Sequence, residues 1–275
     1  LAQGVDVQVQ SVGEPQNPQA TFRAAVEAVS ISVSVRDSRG RVVRDLKEAD
    51  FQVLDTGDNV EILDFWSGES PVSLGVVLDI SGSMAVGGNI HRAREAVGIT
   101  MANLRFGDEA ALYTFDSRLE EVVPFTTELD RIKGMNLQGS PFGTTSLYDA
   151  IAQAARLAAE RQTRHRALLV ITDGVDVGSK LTAAEVSGIA SSIDVPVYLL
   201  TVVSPVDHPG GELDVTESAT KATDAVSLAD LARWTGGDMR IASVPAHTLG
   251  GIQDLLRELR HQYVITFEPG ARAGW

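Results

Sequence analysis

The stretch "LGVVLDISGSM", Leu74 to Met84, decides how the rest of the chain is read. From Leu74 to Leu78 it is apolar and rich in β-branched residues, without polar alternation. Such a run reads as a strand buried on both faces. It stops at Asp79 and delivers Ser81, Gly82 and Ser83 within four residues. A buried strand that ends in a carboxylate and two hydroxyls puts small oxygen-bearing side chains at its carboxyl end. In open α/β sheets, that is the edge where ligands bind.

Downstream the pattern alternates between strand and helix. "NIHRAREAVGITMANL" carries Ile90, Ala93, Val97 and Met101 on one helical face. "EAALYTF" and "EEVVPF" read as strands, and "TSLYDAIAQAARLAAERQ" as an Ala-rich helix. "ALLVITDG" is a strand running into a polar loop. "TAAEVSGIASSI" is a helix, "VPVYLLTVV" a strand, and "SLADLARWTGG" a helix closed by glycines. "AHTLGGIQDLLRELRHQ" is a last helix, interrupted by Gly250 and Gly251, and "QYVITFEP" a final strand. Pro205 to Thr223 lacks apolar period and reads as a long loop. The expected fold is α/β: a Rossmann-like, doubly wound, mainly parallel sheet with helices on both faces.

The N-terminal part differs. Residues 1–20 are polar and read as a flexible lead-in. "AVEAVSISVSVRDSRGRVVRDL" alternates like a half-buried strand, with "DSRG" as a turn and "RVV" as a return strand. Phe51 and Val53, the turn "DTGD", and Val60, Ile62 and Leu63 repeat the pattern. Residues 21–70 are therefore expected to form an accessory β unit and 71–261 the main domain. In "QYVITFEP", Tyr263, Ile265 and Phe267 alternate with Val264 and Thr266. An unpaired strand there would be a sticky edge, so residues 262–275 are expected to join the accessory unit.

The chain has 275 residues, 44% hydrophobic and 22% charged, which suits a soluble globular protein. No apolar run approaches the ~20 residues that span a bilayer. With 23 basic and 37 acidic residues the net charge is -14, which disfavours nucleic acid and anionic lipid as partners. There is no cysteine, hence no disulfide and no thiolate metal site. The beginning, "LAQGVDVQ", resembles the tail left by a removed signal peptide, so a secreted, periplasmic or cell-surface location is expected.

Three segments carry oxygen to one edge: Asp79, Ser81 and Ser83; Thr172 and Asp173; and Thr144, Thr145 and Ser146 in "GSPFGTTSLYDA". Small oxygen ligands without nitrogen or sulfur suit a hard divalent cation, Mg²⁺ first, with Mn²⁺ or Ca²⁺ as alternatives. Asp79 and Asp173 would supply charge; Ser81, Ser83 and Thr145 would supply neutral oxygens. So few carboxylates would leave the cation seeking an anionic oxygen from outside. Each residue also has a local reading: Ser81 and Ser83 as turn and cap residues, Thr145 as a helix N-cap, Asp173 in an Asx-turn. His91 reads as an exposed helix residue. His165, His208, His247 and His261 lack zinc spacing. "SGSMAVGG" lacks the Lys of a phosphate-binding loop, and Ser81 is not in a nucleophile elbow. Asp149 reads as a solvent or local capping residue, Asp116 as a residue near the rim, and Trp66, Trp234 and Trp275 as packing residues.

"DISGSM" resembles the D-x-S-x-S motif of the von Willebrand factor A domain family. "GTTSLYDAI" and "VITDG" resemble that family's second and third metal loops. The resemblance runs roughly from Pro71 to His261, and "LADLARWTGG" is similar to the family's closing segment. It implies a metal-ion-dependent adhesion site of Asp79, Ser81, Ser83, Thr145 and Asp173. The serines would bind metal directly, the threonine and aspartates directly or through water. "VRDSRGRVVRDLKEADFQVLDTG" resembles the leader of a bacterial subgroup known from acidobacteria and relatives, with "LDTG" where "LEDG" is usual. In that subgroup the chain usually continues past the last strand, which implies a partner strand or further chain beyond Trp275.

The function expected is a non-enzymatic, cation-dependent protein-binding or adhesion module whose ligand offers an Asp or Glu carboxylate. A structural role in an envelope or secretion complex, with the metal incidental, is the alternative. A metal-assisted hydrolase is the third reading, and the three loops show no positioned His, Lys or Glu base for it.

Overall fold

The structure is a computed structural model. It describes residues 28–38, 41–133, 135, 137, 139–205 and 223–269. The lead-in expected over residues 1–20 lies outside these, as do Trp275 and almost all of the loop expected from Pro205. Thr223 itself opens a helix.

Four short strands come first: β1 (Val29–Val33), β2 (Val53–Asp55), β3 (Asp58–Val60) and β4 (Ile62–Trp66). Then β5 (Val72–Asp79), a short 3-10 stretch (Gly82–Gly88), α1 (Asn89–Asn103), β6 (Glu109–Phe115), β7 (Leu119–Thr126), α2 (Leu129–Lys133) and α3 (Leu147–Ala159) follow. The chain continues with β8 (His165–Thr172), α4 (Ala183–Ser192), β9 (Val197–Val202), α5 (Thr223–Trp234), β10 (Met239–Ala242), α6 (Pro245–Arg260) and β11 (Tyr263–Phe267).

Six strands form one sheet in the order β10-β9-β8-β5-β6-β7, parallel except for β7 at one edge. The reversal of strand order around β5 makes the sheet doubly wound. All eight residues of β5 are buried. Leu74, Val76 and Leu78 join a core layer with Val97 and Met101 of α1 and Ile252 and Leu259 of α6. Val77 faces the opposite layer, with Ile151 of α3, Val186 of α4 and Leu231 of α5. Each such aliphatic side chain contributes roughly 1.5–3 kcal/mol of burial. Gly75 is required by close approach: a Cβ there would lie 2.7 Å from Leu168 Cδ2 on the next strand.

A second, antiparallel sheet has the order β1-β11-β4, with β11 in the middle. Phe51, Phe65 and Tyr263 cluster beside it, with ring centroids 5.1–5.9 Å apart. The β2–β3 hairpin turns at Thr56 and Gly57, both with positive φ. The return strand expected at "RVV" pairs briefly: Arg36 bridges Val42 in antiparallel sense, Val43 N donates to Val35 O (2.8 Å) and Asp37 N to Arg41 O (2.9 Å). The backbone beyond it is drawn to Tyr263, whose hydroxyl donates to the Val43 carbonyl (3.0 Å) and accepts from Leu46 N (3.1 Å). Ser32 N and Oγ donate to Asp194, and the Arg36 guanidinium pairs with Glu258 of α6, tying this sheet to the main one. Trp234, expected to pack, is 57% exposed. Trp66 packs on the His165 ring, 5.1 Å between centroids.

Candidate metal centre

Asp79 is the last residue of β5 and fully buried. Its Oδ1 accepts from Ser81 N (2.8 Å) and its Oδ2 from the Thr172 hydroxyl (2.6 Å), at the end of neighbouring β8. Ser81 Oγ lies 3.1 Å from Ser83 Oγ. Asp173 follows Thr172 directly, and its Oδ1 is buried with no hydrogen-bond partner. Burial pushes the Asp79 carboxyl up to about 6, against hydrogen bonds from Ser81 and Thr172 that lower it; the nearby Asp173 charge raises it further.

The third loop is laced between the other two. Gly82 N donates to Gly143 O (3.1 Å) and Phe142 N to Ile80 O (3.0 Å), joining it to the segment after β5. Val177 N and Gly178 N donate to Thr145 O (3.0 and 2.8 Å), joining it to the segment after Asp173. Gly143 has φ +91, and a Cβ there would meet Asp116 Oδ2 at 3.0 Å. Asp116 therefore stands beside this loop, and its carbonyl accepts from Ser146 N (2.8 Å). Thr145 is 3% exposed; the two amides that its own carbonyl accepts from, and the bonds of its chain neighbours, hold it at the edge.

The local readings of these residues fare unevenly. Ser81 begins the 3-10 stretch without a capping hydrogen bond from its side chain. The N-cap of α3 is Ser146, not Thr145, and it too makes no side-chain cap. The amides of α3 are capped from elsewhere: Asp176 Oδ1 accepts from Leu147 N (2.7 Å) and Ser179 Oγ from Tyr148 N (3.0 Å). Sequence reasoning missed Asp176 and Ser179. The only signal was a polar "DVGS" after the strand, which marks a loop but not its partner. Asp149, expected to face solvent or cap locally, accepts instead from Lys180 N and Leu181 N, some thirty residues away (3.1 and 3.0 Å). His91 is exposed and His165 buried.

Among the described residues, no three His, Asp or Glu side chains converge as a metal cluster. The set at this edge is two carboxylates with hydroxyls. It fits a hard cation: the orphaned oxygen of Asp173 is an acceptor without a donor, and the remaining groups present oxygen only.

A doubly wound sheet with an oxygen-lined carboxyl edge defines a class of ligand-binding α/β domain. Within that class, residues 74–175 match the family model of the von Willebrand factor type A domain. No curated protein sequence matches the chain. An aerotolerance-related membrane protein from Bacteroides fragilis has a similar structure: TM-score 0.54, 19% identity, covering 68% of this chain and 98% of that one. So has a von Willebrand factor type A protein from Catenulispora acidiphila: TM-score 0.52, 12% identity, 77% of this chain and 66% of that one. The PilB minor pilin from Streptococcus sanguinis aligns with TM-score 0.50 and 13% identity over 70% of this chain and 62% of its own. At these identities the likeness is one of fold. Residues 74–175 are thus similar in sequence to that family, and the chain shares its fold.

Proposed function

We propose that this chain is a non-enzymatic, divalent-cation-dependent protein-binding module. Asp79, Ser81, Ser83, Thr145 and Asp173 would hold Mg²⁺, with Mn²⁺ or Ca²⁺ as alternatives, in a metal-ion-dependent adhesion site. The cation would supply Lewis acidity toward a carboxylate oxygen of the partner, from Asp or Glu. The observation that carries this reading is Asp173 Oδ1: a buried carboxylate oxygen with no donor costs free energy until a cation or proton meets it.

Two further features support a protein as the partner. Val86, Phe142, Val175 and Val177 stand on the same three loops and are 42–82% exposed. Large apolar side chains left in water around a polar centre favour a partner that covers them. The similar structures include a membrane protein and a pilin, so we place this chain outside the cytoplasm, secreted, periplasmic or at the cell surface. Among the described residues no helix is long and apolar enough to cross a membrane.

Calorimetric titration with Mg²⁺ tests the site. Saturable binding is expected in the wild type and none in Asp79→Ala or Asp173→Ala, with circular dichroism unchanged. Equal Mg²⁺ affinity in all three proteins would overturn the assignment.

A further inference from the structure

At the opposite end of the main sheet lies a cleft of about 420 Å³ that the metal reading leaves unused. β5 runs away from it for eight residues before reaching Asp79, roughly 25 Å at ~3.3 Å per residue. The cleft is walled by four arginines drawn from three parts of the chain: Arg44 from the segment beside the accessory sheet, Arg105 after α1, and Arg257 and Arg260 from the last turn of α6. Against them stands one lining carboxylate, Glu69. In a chain of net charge -14, this concentration of guanidinium groups is a local reversal of sign.

The pairing inside the cleft is uneven. Arg260 is buried and forks onto buried Asp108, its NH1 donating to Oδ1 at 2.9 Å. Arg257 pairs with Asp254 (2.6 Å). Both sit at the C-terminus of α6, where cations also offset the helix dipole, so their presence there has a structural cause. That cause does not extend to Arg44, which is exposed and has no ion-pair partner among the described residues. Glu69 is half-exposed and doubly engaged: Arg105 donates to its Oε2 (2.7 Å), and its Oε1 lies 3.2 Å from His261 Nε2. It thus occupies, with a carboxylate of the chain itself, the position an external oxyanion would take. The Arg105 guanidinium beside it holds the Glu69 carboxyl below the usual range. Asn103 and Gln253, 3.3 Å apart across the cleft, add neutral donors and acceptors, and the edge of the otherwise buried Leu256 lines its floor.

We propose that this cleft is a second ligand site, specific for a compact organic oxyanion: a carboxylate or phosphate ester on a small hydroxylated body. Guanidinium forks match both head groups in bidentate fashion. The amides of Asn103 and Gln253 suit hydroxyls. A long polyanion is disfavoured, because beyond the cleft it would meet the acidic remainder of the surface. Glu69 acts as a built-in competitor, holding Arg105 until the ligand displaces it.

The test uses protein dialysed free of divalent cations, and in parallel the Asp79→Ala variant, so that it stands apart from the metal site. Inorganic phosphate and glucuronate are titrated separately, which distinguishes a phosphate from a carboxylate source, with glucose as the neutral control. Saturable binding of at least one anion is expected, and none of glucose. Arg44→Ala and Arg105→Ala should each weaken it about tenfold, the equivalent of ~1.4 kcal/mol. Glu69→Gln should tighten it several-fold by removing the competitor. Arg44 and Arg105 are both well exposed, so these variants keep the fold. No binding of either anion to the wild type or to Glu69→Gln, or affinity unmoved in the Arg44→Ala/Arg105→Ala double variant, would overturn the proposal.

Discussion

The two ends of the main sheet treat buried carboxylates in opposite ways. At the amino end, where β6 begins, Asp108 and Glu109 each face a guanidinium: Arg260 for the first, Arg161 for the second (2.7 Å). Burial pushes the Asp108 carboxyl up, but Arg260 and the amides of Arg105 and Val72 hold it below its usual range. At the carboxyl end, Asp79 has hydroxyls and an amide but no cationic side chain among the described residues, and Asp173 Oδ1 has no hydrogen-bond partner there. Asp79 is displaced upward in consequence. Carboxylates compensated from within the chain hold the fold together. Carboxylates left short of positive charge cost stability, and the proposed cation would be the charge that completes them.

The largest expected effect lies at the compensated end. Arg260→Met strands Asp108 in the interior, and urea unfolding should show a loss of about 3–5 kcal/mol, as for other broken buried pairs. Asp108→Asn added to Arg260→Met should restore much of it. At the other end, Asp173→Ala in metal-free protein should leave stability unchanged or raise it, since it removes an oxygen that had no partner. If Asp173→Ala were as damaging as Arg260→Met, the contrast between the two ends would collapse.

A pH effect comes next, again from the amino end. His165 begins β8, fully buried against Trp66. Neither ring nitrogen has a well-aligned hydrogen bond, although the Gly68 backbone is close enough to act on the ring. Burial pushes its pKa down to about 4; the Gly68 backbone opposes this, and positive charge at His261, Arg164 and Arg260 adds to it. The unfolded chain therefore binds a proton near 6.5 that the folded chain refuses until about 4. Stability is complete above pH 6.5 and falls as pH drops through this window, by about 3 kcal/mol in total. Urea midpoints of the wild type and His165→Leu at pH 7.0 and 4.5 should show this component only in the wild type.

The smallest effect belongs to the apolar rim. Phe142 is 82% exposed, so Phe142→Ser should change stability by less than about 0.5 kcal/mol. A larger loss in thermal unfolding would mean that Phe142 packs within the chain and is not free for a partner.

Most of the main sheet was legible because its signals are local. The runs "LGVVLD", "ALLVIT" and "VYLLTV" are continuous and apolar, and each stands as a strand buried on both faces. The helical period of α1 placed Ala93, Val97 and Met101 inward, as they are. The five candidate ligands could be named because a motif after a strand also states which sheet edge it occupies. The return after "DSRG" was legible too, with Val42 and Val43 beside Arg36 and Val35, but alternation does not report where the outward hydrogen bonds go. Here a tyrosine hydroxyl 220 residues away took one of them. Trp234 was misread because its size argues for burial, while its place at the end of α5 leaves it in water.

By itself the sequence determined the elements, their alternation and the chemistry of the oxygen-rich segments, since periodicity and turn residues act within a few positions of one another. Only the tertiary structure decided which charges are compensated. Asp108 and Arg260 stand 152 residues apart, and no local pattern distinguishes the paired Asp108 from the unsatisfied Asp173. Ion pairing depends on distance in space, and space is set by the packing of the helices on the sheet.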